Sequence, residues 1–179
     1  LKIDNARPAD TSLVDDMTTV LAFFQVLSAT IGDDLSLDEP TRRVISAHLI
    51  VKDDLRLDFI FMLGLSAGLI EVQGGKVYTK RAESRRWLES PRAAQIQFLT
   101  ETWRASDLYV DLVHVPGLSV EQEGWSYSPT EARAALIELV RDIAALDGAW
   151  SVEEFIQAVY LTAPEFQRTD FDSWYIRGS

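Results

Sequence analysis

Two glycines at positions 74 and 75 constrain the fold of this chain more than any other feature. They separate two short β-prone runs, Leu69-Ile-Glu-Val-Gln73 and Lys76-Val-Tyr-Thr79. Glycine adopts positive φ without steric cost, so a Gly-Gly pair between two such runs is a strong signal for a two-residue hairpin turn. The sequence therefore predicts an antiparallel β-hairpin over residues 69–79.

Three helices are predicted before this hairpin. Over residues 11–31, apolar side chains recur three and four positions apart, which is the pattern of one face of an amphipathic helix. Asp38 is a good capping residue for a second helix that runs to about residue 50. A third helix is predicted over residues 53–67, and Gly68 would end it. Three helices followed by a two-stranded wing is the order of elements in a winged-helix domain.

Further helices are predicted after the hairpin. Thr79 is a candidate cap for a helix that runs to about residue 89, and Ser90-Pro91 opens another through Trp103. Together with the preceding elements, these helices complete one winged-helix unit over residues 1–106.

The later residues begin a second set of helices. A short helix is predicted over residues 107–113. The capping boxes Ser128-Pro-Thr-Glu131 and Ser151-Val-Glu-Glu154 open two longer helices, and residues 170–176 have an extended pattern. We predict a mostly α protein of winged-helix (α+β) architecture, in which residues 107–179 form a second, incomplete winged-helix-like unit.

Composition excludes several classes of site. The 179 residues include no cysteine, which excludes disulfides, a thiol nucleophile and thiolate metal ligands, and which fits a cytoplasmic protein. The longest apolar run has 7 residues, whereas a membrane-spanning helix needs about 20, so we expect no membrane partner. Because the chain opens on Leu1 instead of methionine, we expect a piece of a longer protein.

The segment Gly64-Leu-Ser-Ala-Gly68 matches the G-x-S-x-G nucleophile elbow of serine hydrolases. That elbow needs a strand before its serine and a helix after it, whereas here a helix precedes Ser66 and a hairpin follows. Triad partners exist in the right order, Asp107 or Asp111 followed by His114, but too few residues remain for a hydrolase sheet. We predict no catalytic residue and keep a serine hydrolase as a remote alternative.

Asp107, Asp111 and His114 also have spacings that could place them on one helix face as metal ligands. Solvated acids beside a helix-capping histidine are the simpler interpretation. The sequence contains no Walker A phosphate loop, dinucleotide fingerprint or zinc-binding spacing. We predict neither a metal nor a cofactor.

The net charge of −11 is unevenly distributed along the chain. Residues 76–104 carry a local charge of +4, which leaves −15 for the remainder. Within them a basic stripe is predicted on the wing and the following helices: Lys76, Lys80, Arg81, Arg85 and Arg92. Such a stripe can hold a nucleic-acid backbone without reading bases. The alternative is that these cations pair with the acidic rest of the chain or with a protein partner.

The third predicted helix is poorly suited to read DNA. In a typical winged helix this element enters the major groove. Here it carries three acids, Asp53, Asp54 and Asp58, against one base, Arg56. Carboxylates repel phosphates, so we do not expect sequence-specific readout by this helix.

A set of short motifs runs through the chain from Leu65. They are Leu65-Ser-Ala-Gly-Leu-Ile-Glu-Val72, Gly74-Gly75, Tyr78-Thr-Lys-Arg81, Trp87-Leu88, Trp103, Asp111-Leu112, His114-Val-Pro-Gly-Leu118, Trp150-Ser-Val-Glu-Glu-Phe155, Pro164-Glu-Phe-Gln-Arg168 and Asp172-Ser-Trp-Tyr-Ile-Arg177. Together they resemble a helicase-associated domain that occurs in bacterial proteins and at the N-terminus of bacterial XPB-like helicases. The resemblance implies tandem winged helices in a larger protein that handles DNA or assembles on it. Motor motifs are absent from the sequence, so helicase activity is not implied.

We therefore expect a non-catalytic winged-helix module of a larger DNA-transaction protein, helicase-associated or regulatory. The basic stripe would give it weak, sequence-independent contact with a nucleic-acid backbone. The alternative is a protein–protein interaction module without DNA binding, whose partner is another protein or the remainder of the same chain.

Overall fold

Helices dominate the structure, a computed structural model that describes residues 10–27, 29–32, 35–114, 128–147 and 151–163. These residues form seven α-helices and a small three-stranded antiparallel sheet, which is a mostly helical α+β arrangement. The chain divides into two compact units, Leu1–Trp103 and Arg104–Ser179. No helix within the described ranges has the length and apolar character needed to cross a membrane.

The predicted hairpin is confirmed. Strand β2, Ile70–Gln73, pairs with strand β3, Lys76–Thr79, in antiparallel register. Gly74 and Gly75 form the turn with φ of 57° and 72°, and two consecutive positive φ values are what a two-residue type I′ turn requires. The sequence signal was reliable here because few other residue pairs adopt this backbone at low cost.

The first helix, α1, spans Ser12–Val26, and the prediction that it continues to residue 31 is wrong. Leu27 is extended, and the next residues form strand β1, Ala29–Thr30, which pairs with β3 on the side opposite β2. The Ile31 N–H then donates to the Gly75 carbonyl at 3.1 Å. The β-branched side chains at 30 and 31 suit a strand better than a helix, so the predicted two-stranded wing becomes a three-stranded sheet.

The second and third helices begin at the predicted aspartate caps. Helix α2, Glu39–Ser46, is capped by Asp38, and helix α3, Asp54–Ser66, is capped by Asp53; each carboxylate accepts a backbone N–H bond at 2.9 Å. Helix α2 ends earlier than predicted. The Ile50 N–H, instead of extending the helix, donates to the carboxylate of Asp16 on α1 at 2.5 Å.

One hydrophobic core fills the first unit, with contributions from α1, α3 and the sheet. Burial of a large aliphatic or aromatic side chain contributes about 1.5–3 kcal/mol to stability. The largest fully buried side chains are Phe61, Met17, Leu21, Ile45, Leu49, Leu57, Ile60, Leu69, Leu99, Val14, Val20 and Val77. Gly64 lets α3 approach the sheet closely, because a Cβ atom there would lie 2.5 Å from Cδ1 of Ile70.

Two more helices follow the sheet: α4, Arg81–Leu88, and α5, Arg92–Ala105. Lys80 occupies the cap position of α4, so the prediction of Thr79 as its cap is wrong. Thr79 instead ends β3, where its buried hydroxyl donates to the Leu21 carbonyl of α1 at 2.8 Å. This bond ties the end of β3 to α1, and α4 begins two residues after β3 ends.

The second unit contains helices α6, Pro129–Asp147, and α7, Val152–Thr162. Both predicted capping positions are used. Ser128 accepts a bond from the Glu131 N–H at 3.3 Å, and Ser151 and Glu154 form a reciprocal capping box. The extended pattern predicted at residues 170–176 lies outside the described residues, as do the motif residues 115–118, 150, 164–168 and 172–177.

A helix over residues 107–113 is not formed; only a single 3₁₀ turn occurs, at Asp111–His114. The same segment is bound by Arg133 of α6, which is 3% exposed. Its guanidinium donates to the carbonyls of Ser106, at 2.6 Å, and Tyr109. It also donates to the Asp111 carboxylate at 2.8 Å. These two carbonyls are thus satisfied by an arginine instead of by helical N–H partners.

Candidate nucleic-acid interface

Strand β3 presents alternate side chains to opposite sides of the sheet. Val77 and Thr79 are buried, whereas Lys76 and Tyr78 are exposed. This alternation follows from the pleat of a strand, in which successive side chains point to opposite faces. The exposed face of the wing therefore carries a cation next to the turn and an aromatic ring two residues later.

Helix α4 extends this positive surface away from the sheet. Lys80 is partly buried at its cap, and Arg81, Arg85 and Arg86 are exposed along it. Four of the five predicted stripe residues thus lie on β3, at the cap of α4 and on α4 itself. In the part of the chain that the structure describes, no ion pair joins Lys76, Lys80, Arg81 or Arg86 to a carboxylate.

Arg85 forms an exposed ion pair on its own helix. Its Nε donates to Glu89 at 2.8 Å, and this hydrogen bond raises the pKa of Arg85. The two side chains are 80% and 63% exposed, and a pair of this kind contributes little and exchanges readily with solvent. The charge of Arg85 is therefore partly neutralised by Glu89, but its side chain is still accessible to a ligand.

Arg92 differs from the other predicted stripe residues because its side chain is held in an ion pair with another helix. It lies on α5, beyond the break at Pro91, and its guanidinium binds both carboxylate oxygens of Asp15 on α1, at 2.6 and 2.5 Å. It also donates to the hydroxyl and the carbonyl of Thr11. The hydrogen bond raises the pKa of Arg92 and lowers the pKa of Asp15. The contacts of Arg92 agree with the alternative in which these cations pair with acidic residues of the same chain.

Two charged side chains of α3, Arg56 and Asp58, are engaged inside the first unit. Arg56 donates to Asp16 of α1 at 3.0 Å, and Asp58 accepts from Arg42 of α2 at 3.0 Å. These pairs direct the polar positions of α3 toward the neighbouring helices. Arg56 is therefore not available on the surface as a free cation, whereas the exposed cations of β3 and α4 are.

A groove of about 380 Å³ runs along the wing beside Tyr78. Its lining combines one aromatic ring with cations and hydrogen-bond acceptors: Glu71, Gln73, Tyr78, Thr79, Lys80, Arg81 and Glu83. Glu71 faces Tyr78 directly across the β2–β3 ladder. The predicted site contained the two cations of this groove but not Tyr78, although the strand alternation places that ring on the same face as Lys76.

The G-x-S-x-G segment and the Asp111/His114 motif are engaged in local contacts. Ser66 is the last residue of α3, its hydroxyl donates to the Met62 carbonyl at 2.9 Å, and the hairpin follows it. This is the reverse of the strand–serine–helix order of a nucleophile elbow. The Asp111 carboxylate binds Arg133, and His114 stacks on Tyr109 with ring centroids 4.3 Å apart. Among the described residues, no three His, Asp or Glu side chains converge as metal ligands would.

Comparison of the chain with family models, with curated proteins and with solved structures gives no match. The resemblance to a helicase-associated domain therefore stays a prediction.

Proposed function

We propose that the first unit is a winged-helix module of a larger DNA-transaction protein. In this proposal the wing and α4 contact a nucleic-acid backbone without reading its sequence, and the module itself performs no chemistry. The order of elements supports the winged-helix interpretation, since three helices precede the Gly74-Gly75 hairpin.

The observation that carries the proposal is the cluster of cations without carboxylate partners: Lys76, Lys80, Arg81 and Arg86, considered within the described residues. The chain has a net charge of −11, and carboxylates are abundant. Arginines at 42, 56, 92 and 133 each bind one. Cations that face solvent in such a chain keep a positive surface available for phosphates.

Charge also explains why contact would be confined to the wing. The acidic remainder of the chain repels phosphates, so a strand of nucleic acid can approach only where the cations are grouped. If three of these cations contact phosphates, the slope of log K against log salt concentration is about −2.7 on a duplex and about −2.1 on a single strand. Binding should therefore be measurable at low salt and weak at physiological salt.

A titration of a fluorescein-labelled oligonucleotide, followed by fluorescence anisotropy, tests the proposal. At about 50 mM salt we expect saturable binding that is lost when Lys76, Arg81 and Arg86 are changed to glutamate. The matched control is Arg43→Glu, because Arg43 is 79% exposed on α2 and lies away from the wing in the sequence. Absence of saturable binding by the unmodified protein would overturn the proposal. If Arg43→Glu lowers the affinity by as much per reversed charge as the triple variant does, the binding depends on net charge alone and not on these particular cations.

One observation favours the second candidate, a protein-interaction module without DNA binding. Helix α7 exposes three large apolar side chains four positions apart: Val152, Ile156 and Tyr160 are 69%, 58% and 68% exposed. Residues with this spacing share one helix face, and such faces often contact another protein segment. This candidate predicts no saturable oligonucleotide binding at any salt concentration, so the same titration separates the two.

A further inference from the structure

The ring of Tyr78 has no role in the core. It is 41% exposed on the solvent face of β3, while its neighbours Val77 and Thr79 point inward. It lies along the chain between Lys76 and Lys80, and across the ladder it faces Glu71. An exposed aromatic ring between cations is the combination that single-strand binding proteins use, since bases stack on the ring and phosphates contact the cations.

The groove beside Tyr78 suits an unpaired base better than a duplex. Its volume of about 380 Å³ lies near the lower end of the range of about 300–1,000 Å³ for small-ligand sites. Two carboxylates, Glu71 and Glu83, line it together with Lys80 and Arg81. Duplex DNA presents phosphates to such a surface, and the carboxylates repel them.

An unpaired base changes the role of these carboxylates. Its Watson–Crick edge carries N–H donors, which are hidden in a duplex and open in a single strand. Carboxylate oxygens accept bonds from such amino groups, as does the side-chain carbonyl of Gln73. Acceptors that weaken duplex contact can therefore strengthen contact with a single strand.

We propose that this groove holds one unpaired base of a single-stranded nucleic acid, stacked on the Tyr78 ring, with Lys80 and Arg81 on the adjacent phosphate. The inference rests on the proposed function, because it assigns the preferred ligand of the same surface. It adds a preference for single-stranded over duplex nucleic acid, which the cations alone would not give.

The experiment compares one labelled oligonucleotide, free and annealed to its complement, at the same low salt concentration. We expect the single strand to bind the protein more tightly than the duplex. Tyr78→Ala should weaken single-strand binding roughly 5- to 100-fold, with duplex binding changed by less than about two-fold. Tyr78→Phe keeps the ring and should retain single-strand affinity within about two-fold. Tyr160→Ala removes an exposed tyrosine of the other unit and is the control.

The possible failures can be told apart. If both forms bind equally, or if Tyr78→Ala leaves single-strand affinity unchanged, the stacking proposal is wrong and backbone contact by the cations still stands. If Tyr78→Ala weakens the binding of single strand and duplex to the same extent, the proposed preference for a single strand is likewise wrong. If neither form binds the unmodified protein, the proposed function fails and this inference fails with it. Circular dichroism of each variant confirms that the fold is retained.

Discussion

The carboxylate of Asp16 on α1 accepts a 3.0 Å hydrogen bond from the guanidinium of Arg56 on α3 and is completely buried. Its second oxygen accepts from the Ile50 N–H at 2.5 Å. One side chain thus joins the first helix, the loop before α3 and α3 itself. Asp16 thereby ties α1 to α3, the helix that precedes the β2–β3 hairpin in the chain.

Replacement of Asp16 by alanine should lower the free energy of unfolding by about 2–4 kcal/mol. The change leaves the Ile50 N–H and the Arg56 Nε without their acceptor, and breaking a buried ion pair costs more than breaking an exposed one. Arg56 keeps partial access to solvent, at 18% exposure, which moderates the loss. Urea denaturation measures the effect. The neighbouring Asp15→Ala is the control: its pair with Arg92 is partly exposed, so a loss as large as that of Asp16→Ala would contradict this account.

The acid sensitivity of the protein should depend on Asp38. Its carboxylate accepts bonds from the Thr41 N–H and hydroxyl and from the Thr30 hydroxyl, each at 2.9 Å. These bonds, the one from the Thr41 N–H first, lower the pKa of Asp38 to about 2. An unfolded aspartate has a pKa of about 3.9, so this contribution to stability is complete above about pH 4 and is lost as the pH falls toward 2.

Asp38→Asn tests this dependence, because asparagine also caps helices but carries no charge. We expect the variant to be less stable than the unmodified protein at pH 6. The difference in unfolding free energy, from urea titrations at successive pH values, should narrow steadily below pH 4. A difference that stays constant from pH 6 to pH 3 would show that the charge of Asp38 contributes nothing.

The sequence correctly predicted those turns and helix starts that depend only on residues close together in the chain. Gly74-Gly75 identifies the turn, and the caps Asp38, Asp53 and Ser151 identify helix starts, because each acts on residues within one turn of itself. Strand β1 could not be found in this way. Its partner is β3, more than forty residues later in the chain, and Ile31 continues the helical spacing of the residues before it by coincidence.

The candidate site shows the same division. The sequence identifies the cations at 76, 80 and 81, but only the tertiary structure shows which cations are paired. Arg92 has the spacing of a stripe residue, seven positions after Arg85, yet the helix break at Pro91 turns it toward Asp15. A periodic stripe has physical meaning only within one helix.

Gly64→Ala should destabilise the first unit although alanine favours a helix. Alanine gains up to about 1 kcal/mol over glycine in a helix interior, whereas an overpacked core costs about 1–3 kcal/mol. The new Cβ would lie 2.5 Å from Cδ1 of Ile70 and 3.1 Å from its Cγ1, and Ile70 is 2% exposed, so its side chain has little room to move. We expect a net loss of about 1 kcal/mol or more in urea denaturation.

A second substitution tests whether this contact is the cause. Ile70→Val removes Cδ1, so Gly64→Ala should cost clearly less in the Ile70→Val protein than in the unmodified one. Additive losses in the double variant would place the strain elsewhere.

Replacement by glutamate should affect mainly stability at Arg92 and mainly oligonucleotide binding at Arg81. Arg92→Glu places a carboxylate beside Asp15 and removes the bonds to Thr11, so it should lower the thermal midpoint. Arg81 is the first residue of α4, where the helix dipole favours a negative charge, so Arg81→Glu should leave the midpoint nearly unchanged. In oligonucleotide titrations at low salt, Arg81→Glu should weaken binding several-fold more than Arg92→Glu. Adding Asp15→Lys to Arg92→Glu restores opposite charges and should recover part of the lost midpoint. A reversed pattern, in which Arg92→Glu abolishes binding without altering the midpoint, would return Arg92 to the interface and exclude its role as a tie between α5 and α1.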